Sequence, residues 1–219
     1  MRDAAFRKAF AILVRRFRVE NWAEGKNPFE VLVSIIVSQN STDLVAERVV
    51  RDLARAVAMR PGEIASAAPS LLIRKLRPAG LARQKVPRIR ALAAEVVERY
   101  GGDLLRVLDE QDPRQALMAL PGVGPKTADV WLGLVAGMDT MPVDTHIARL
   151  TRRWRLVRGG DYEAITAKLK SLIPPARRVR GHLVLIQFGR KVCQARRPRC
   201  EACPVYELCD ADVKRPRTA

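Results

Sequence analysis

Cysteine is absent from the first 192 residues of this 219-residue chain. A disulfide framework spread through the fold is therefore excluded. No apolar run approaches the roughly 18 residues that a membrane-spanning helix needs. Aromatic residues make up only 5% of the chain, too few for a platform on which single-stranded bases stack. The start, Met1-Arg2-Asp3-Ala4-Ala5-Phe6, lacks the apolar core and cleavage site of a secretory signal. It runs directly into helical spacing, with Phe6, Phe10, Leu13 and Phe17 on one face. A cytoplasmic, reducing compartment is expected, where thiols serve metals more often than disulfides.

Negative charge is also scarce. Asp and Glu number 23 against 40 Lys and Arg, a formal net charge of +17. Such an excess repels itself in a folded chain, and a polyanionic partner is the usual compensation. Residues 146–219 carry a net +12 and residues 1–145 a net +5. The basic end is also the cysteine-bearing end. Apolar residues form 48% of the chain, enough for a substantial core.

The pattern is helical almost throughout, without alternating strands or a long-period repeat. Asn27-Pro28-Phe29-Glu30 reads as a helix start. The run Val31–Ser38 after it is apolar on nearly all sides, and periodicity alone does not separate buried strand from buried helix. Its helical surroundings favour helix. Further helices are expected at 43–58, 62–67, 69–76, 84–99, 103–109, 113–119, 126–136, 145–155, 161–172 and 178–191, with Gly/Pro pairs between them. Residues after about Asp212 read as a disordered basic tail.

Two motifs carry chemistry. In Leu120-Pro121-Gly122-Val123-Gly124-Pro125-Lys126-Thr127 a helix ends, the chain turns through Gly122 and Gly124, and a new helix begins near Pro125. Glycines allow positive φ and leave backbone N–H groups uncovered. With the positive end of the next helix, those groups suit a phosphate. Lys126 stands in the first turn of that helix, where a cation opposes the macrodipole by a few tenths of a kcal/mol, up to about one. A second use is implied, either a phosphate contact, the commoner role of a lysine, or, with the amine neutral, a nucleophile. Eighteen residues later, Asp144 precedes an amphipathic helix bearing Ile147, Leu150 and Trp154. It suits an N-cap. It also suits a carboxylate that takes a proton from an amine or water, or stabilises positive charge on a sugar. His146 reads as structural.

The second motif is Cys193-x6-Cys200-x2-Cys203-x5-Cys209. Four thiolates in one short segment suit a single metal centre, either zinc or an iron–sulfur cluster.

Taken together, Leu120–Ala128, Val143-Asp144-Thr145-His146 and the x6, x2, x5 cysteine spacing resemble the endonuclease III family. This is a branch of the helix–hairpin–helix Gly/Pro/Asp DNA glycosylases. The likeness runs from about Pro28 to Cys209. It implies an all-α fold of two helical domains flanking a DNA-binding cleft. One is a six-helix barrel with the hairpin, at 20–138. The other, 1–19 plus 139–219, holds a [4Fe–4S] cluster on Cys193, Cys200, Cys203 and Cys209. By the same resemblance Lys126 and Asp144 are catalytic, Gly122 and Gly124 contact DNA, and the cluster loop contacts phosphate through Arg196, Arg197 and Arg199. The family fills the gap left by an everted nucleotide with a leucine, matching Leu81, and a glutamine. For the glutamine, Gln39 and Asn40 in Ser38-Gln39-Asn40-Ser41-Thr42-Asp43 both stand near the expected position. Pro125 replaces a basic residue that many relatives carry. The implied function is a glycosylase with abasic-site lyase activity, acting as a monomer on damaged double-stranded DNA, with oxidised pyrimidines as the expected lesions. A non-catalytic DNA-binding protein or a redox-sensing cluster protein are the alternatives.

Overall fold

A computed structural model describes residues 1–157 and 159–214. Most of the expected basic tail, 215–219, lies outside the described residues. The helices are α1 (Asp3–Arg16), α2 (Pro28–Ser38), α3 (Asp43–Ala56), α4 (Pro61–Ser66), α5 (Pro69–Leu76) and α6 (Ala82–Tyr100). They continue as α7 (Pro113–Met118), α8 (Pro125–Val135), α9 (Thr145–Arg153), α10 (Tyr162–Leu172) and α11 (Arg178–Lys191). No strand occurs among the described residues. Among them, no helix is long and apolar enough to cross a membrane. The chain divides into two compact units, residues 23–136 and residues 1–22 with 137–219.

The unit of residues 23–136 is built around α2. Asn27 caps it, its Oδ1 accepting from the amides of Phe29 at 2.9 Å and Glu30 at 3.3 Å. Such a cap contributes about 1 kcal/mol. The ambiguous apolar run is thus a helix, and Val31, Leu32, Val33, Ile35, Ile36 and Val37 are all buried. A helix apolar on every side needs partners on every side. Here α3, α6 and α8 supply them. The Trp131 indole N–H donates to the Pro28 carbonyl at 2.8 Å and fixes α8 against the start of α2. The segment expected as helix at 103–109 is instead a 3-10 helix, Leu104–Asp109. Gly101 and Gly102 before it both take positive φ, at 61° and 86°. They end α6, and the six residues that follow form only the tighter turn.

The second unit has its own core. Phe6, Phe10 and Leu13 of α1 pack with Ile147, Leu150 and Trp154 at α9, and with Val184, Leu185 and Phe188 of α11. Trp154 stacks on Phe188 with ring centroids 5.7 Å apart. Helices α9 and α11 approach closely because Gly189 has no side chain. A Cβ there would lie 2.9 Å from His146 Cβ. His146 is half-buried there, and its ring lies 3.2 Å from the Arg149 guanidinium and 3.4 Å from that of Arg190.

Candidate DNA-repair site

The hairpin joins α7 to α8. Gly122 lies at φ +83°, a conformation that costs other L-residues about 1–2 kcal/mol. Gly124 does not share it. Its φ is −102° and its ψ 179°, ordinary extended backbone, and it is the N-cap of α8. Only Gly122 is required by the turn. Gly124 serves differently, since the space where its Cβ would stand is open and the backbone there stays uncovered. Gly122→Ala is therefore expected to lower the thermal midpoint by about 2–8 °C, and Gly124→Ala to leave it in place. Thermal unfolding followed by circular dichroism checks both. Equal midpoints for the two variants would contradict the assignment.

Pro125 and Lys126 are the first two residues of α8, and Lys126 is half-buried. The helix is braced from behind by Asp129, which is buried and receives the Arg114 Nε of α7 at 2.7 Å. Thr127, also buried, accepts from the Gln39 side-chain amide at 3.4 Å. Gln39 is thus turned towards the hairpin helix. Asn40 is exposed and left-handed, at φ 56°. Leu81 is left-handed too, at φ 52°, and is 46% exposed, large for a leucine.

In the other unit, Asp144 is the N-cap of α9. Its Oδ1 accepts from the Ile147 amide at 2.8 Å. One oxygen thereby holds the carboxylate in place. Further along α9, Arg149 and Arg153 turn towards the cysteine segment. Arg149 donates to the carbonyls of Gly189 at 2.7 Å and Cys193 at 3.0 Å. Arg153 donates to the carbonyls of Gln194 at 2.7 Å and Ala195 at 2.6 Å, and to Cys193 Sγ at 3.2 Å. Burial lowers the Arg149 pKa, and the neighbouring Arg153 charge adds to that.

Cys193, Cys200, Cys203 and Cys209 line one cavity, with Trp154, Phe188 and Val192 among the apolar residues around them. Burial pushes the Cys203 thiol up to about 11 and raises that of Cys193, which the Arg153 hydrogen bond partly offsets. Thiolates in so apolar a place need a bound cationic centre to be stable. Arg196, Arg197 and Arg199 are exposed on the loop between the first two cysteines. The Arg199 amide pins that loop to the Val192 carbonyl at 2.9 Å.

Residues 33–175 match the model of the HhH-GPD superfamily of base excision DNA repair proteins. The chain belongs to this superfamily. Residues 193–209 match the iron–sulfur binding domain of endonuclease III. Endonuclease III of Bacillus subtilis (strain 168) is 35% identical over 190 residues, which is 86% of this chain and 84% of that protein. Endonuclease III of Escherichia coli (strain K12) is 33% identical over 188 residues, 86% of each. A solved endonuclease III trapped as a covalent intermediate with DNA superposes with a TM-score of 0.86 at 28% identity, covering 96% of each chain. A non-covalent endonuclease III–DNA complex matches equally well. This HhH-GPD protein is a DNA glycosylase with abasic-site lyase activity, and it carries a [4Fe–4S] cluster. The cysteine cavity fits that group in its donor set. All four cysteines line it, Arg153 donates to one sulfur, and the Val205 amide donates to Cys203. When bound, the cluster serves here to cross-link the segment 193–209.

Sequence reasoning did not single out Thr127, Arg149 or Arg153. Each is an ordinary residue type whose role rests on a partner far along the chain. Only the fold makes those pairs visible.

Proposed function

We propose that this glycosylase removes oxidised pyrimidines from double-stranded DNA, with Lys126 as nucleophile and Asp144 as the catalytic carboxylate. The enzyme acts as a monomer in the cytoplasm, associated with the nucleoid. Lys126 on the helix delivered by the Gly122 turn is the observation that carries the reading. The turn offers backbone amides to a phosphate, and the amine stands one residue beyond the start of that helix.

The chemistry follows from the residue types. Lys126 acts as the neutral amine and Asp144 as the general base of the reaction. The Nζ lone pair attacks C1′ of an everted nucleotide, and the C1′–N bond breaks, with the base leaving on its electron pair and taking up a proton. The sugar ring then opens to a Schiff base, C1′=Nζ. Loss of the C2′ proton expels the 3′ phosphate by β-elimination and nicks the strand. Asp144 also stabilises the positive charge that develops on the sugar. Gly122 and Gly124 present the hairpin to the backbone, and Arg196, Arg197 and Arg199 add phosphate contacts from the cluster loop. Leu81 fills the gap in the duplex. Asn40 is the better candidate for the second gap-filling side chain, being exposed and left-handed, whereas the Gln39 amide is engaged with Thr127.

A panel of duplexes carrying thymine glycol, an oxidised cytosine, uracil or a mismatched thymine tests the substrate. Faster release of the oxidised bases is expected. Preference for uracil or mismatched thymine would overturn that part of the reading.

A further inference from the structure

Lys85 is 5% exposed, and none of the chemistry above uses it. Its ammonium donates to the Val37 carbonyl at 2.8 Å and to the Ala79 carbonyl at 3.0 Å. Burial lowers its pKa. A lysine held this way is costly, and a neutral side chain would avoid the desolvation. The location of its two partners suggests what the charge is for. Val37 lies in the last turn of α2, where carbonyls lack an intrahelical donor, and the Gln39-Asn40 turn follows it. Ala79 ends a 3-10 turn, and Gly80 and Leu81 follow, both at positive φ.

Leu81 at φ 52° is strained, and such strain persists only where the surroundings over-determine it. The backbone bonds that hold this turn are all local: the Leu81 carbonyl accepts from the Gln84 and Lys85 amides, both at 2.9 Å, and the Gly80 amide donates to the Arg77 carbonyl at 3.1 Å. Leu81 is the N-cap of α6 without a side-chain cap. Pro87 lies inside the same helix and has no N–H to give the carbonyl four residues back, that of Arg83. The first turn of α6 is therefore one hydrogen bond short. The Lys85 ammonium, one turn beyond Leu81, ties it instead to the end of α2.

We propose that Lys85 is a positioning residue for base extrusion, holding the Leu81 turn and the Gln39-Asn40 turn in fixed register through one ammonium shared between their supporting carbonyls. This rests on the reading that both turns fill the gap left by the everted nucleotide. The role belongs to extrusion rather than to the covalent steps. Unstacking a base costs free energy that an abasic site does not require.

The test compares two substrates under single turnover: a duplex with thymine glycol and the same duplex with an abasic site. Lys85→Met is expected to slow base release about 30-fold and to slow cleavage of the abasic duplex less than about threefold. Lys85→Arg, which keeps a cation with several donors, is expected to restore most of the base release. Leu81→Ala is expected to show the same substrate-selective loss, with no further loss when Lys85→Met is added to it. Equal losses on both substrates would make Lys85 merely structural and overturn the inference, as would no loss on either. Should Lys85→Met not fold, Lys85→Gln carries the same comparison. Wild-type protein that forms no borohydride-trapped adduct would instead sink the proposed chemistry of Lys126, which separates the two failures.

Discussion

Lys126→Gln is expected to abolish strand cleavage, lowering it by about three to six orders of magnitude, if Lys126 supplies the attacking electron pair as proposed. Folding should be unaffected or slightly improved. Lys126 occupies the second position of α8, where a cation opposes the helix dipole by a few tenths of a kcal/mol. Glutamine removes that opposition and keeps the chain length. Duplex binding should weaken only by the loss of one charge, since the proposed contacts from the turn amides and the cluster-loop arginines remain. The slope of log affinity against log salt should then change by no more than about 0.9, the value for one phosphate contact. An inactive variant of undiminished stability is the pattern of a nucleophile. A variant that loses binding and activity together would return Lys126 to the role of a phosphate contact.

Asp144→Asn is the second substitution with a large expected effect. Its strength as a test comes from the double duty of the side chain. The Oδ1 that accepts the Ile147 amide caps α9, and asparagine caps as well as aspartate does. Stability should therefore hold to within a few tenths of a kcal/mol. The proton-accepting and charge-stabilising capacity is lost, and turnover should fall by about 10²–10⁴-fold. Asp144→Ala should lose turnover and about 1 kcal/mol of stability together. Single-turnover kinetics beside thermal unfolding separates the two duties. Normal turnover in the asparagine variant would reduce Asp144 to a helix cap.

The parts of this protein that were legible in its sequence are those fixed by local chemistry. Asn27-Pro28 announces α2, the Gly122 turn announces α8, and Asp144 announces α9, because caps and turns act over a few residues. The cysteine spacing is local in the same sense. Where the local signal is weaker, the pattern misleads. Residues 103–109 carry enough apolar side chains for a helix, yet the paired positive-φ glycines before them leave room only for a 3-10 turn. Gly124 looked equivalent to Gly122 and is not, because the turn requires only one left-handed residue. The ties that cross the fold could not be read at all. Lys85 reaches Val37, 48 residues away, and Gln39 reaches Thr127, 88 residues away. Neither lysine nor threonine signals such a partner by its neighbours. Asn40 and Gln39 were equivalent candidates in the sequence. They diverge in the structure because the end of α2 leaves one exposed and turns the other inward.

The central claim is a covalent bond between the Lys126 nitrogen and C1′ of the damaged nucleotide. Borohydride reduction during turnover converts the Schiff base to a stable secondary amine. Proteolysis and mass spectrometry of the adduct then locate the modified residue. The expected result is a deoxyribose remnant on the peptide containing Lys126, and none when Lys126 is glutamine. A remnant on any other lysine, or an adduct that still forms in the Lys126→Gln protein, would contradict the account.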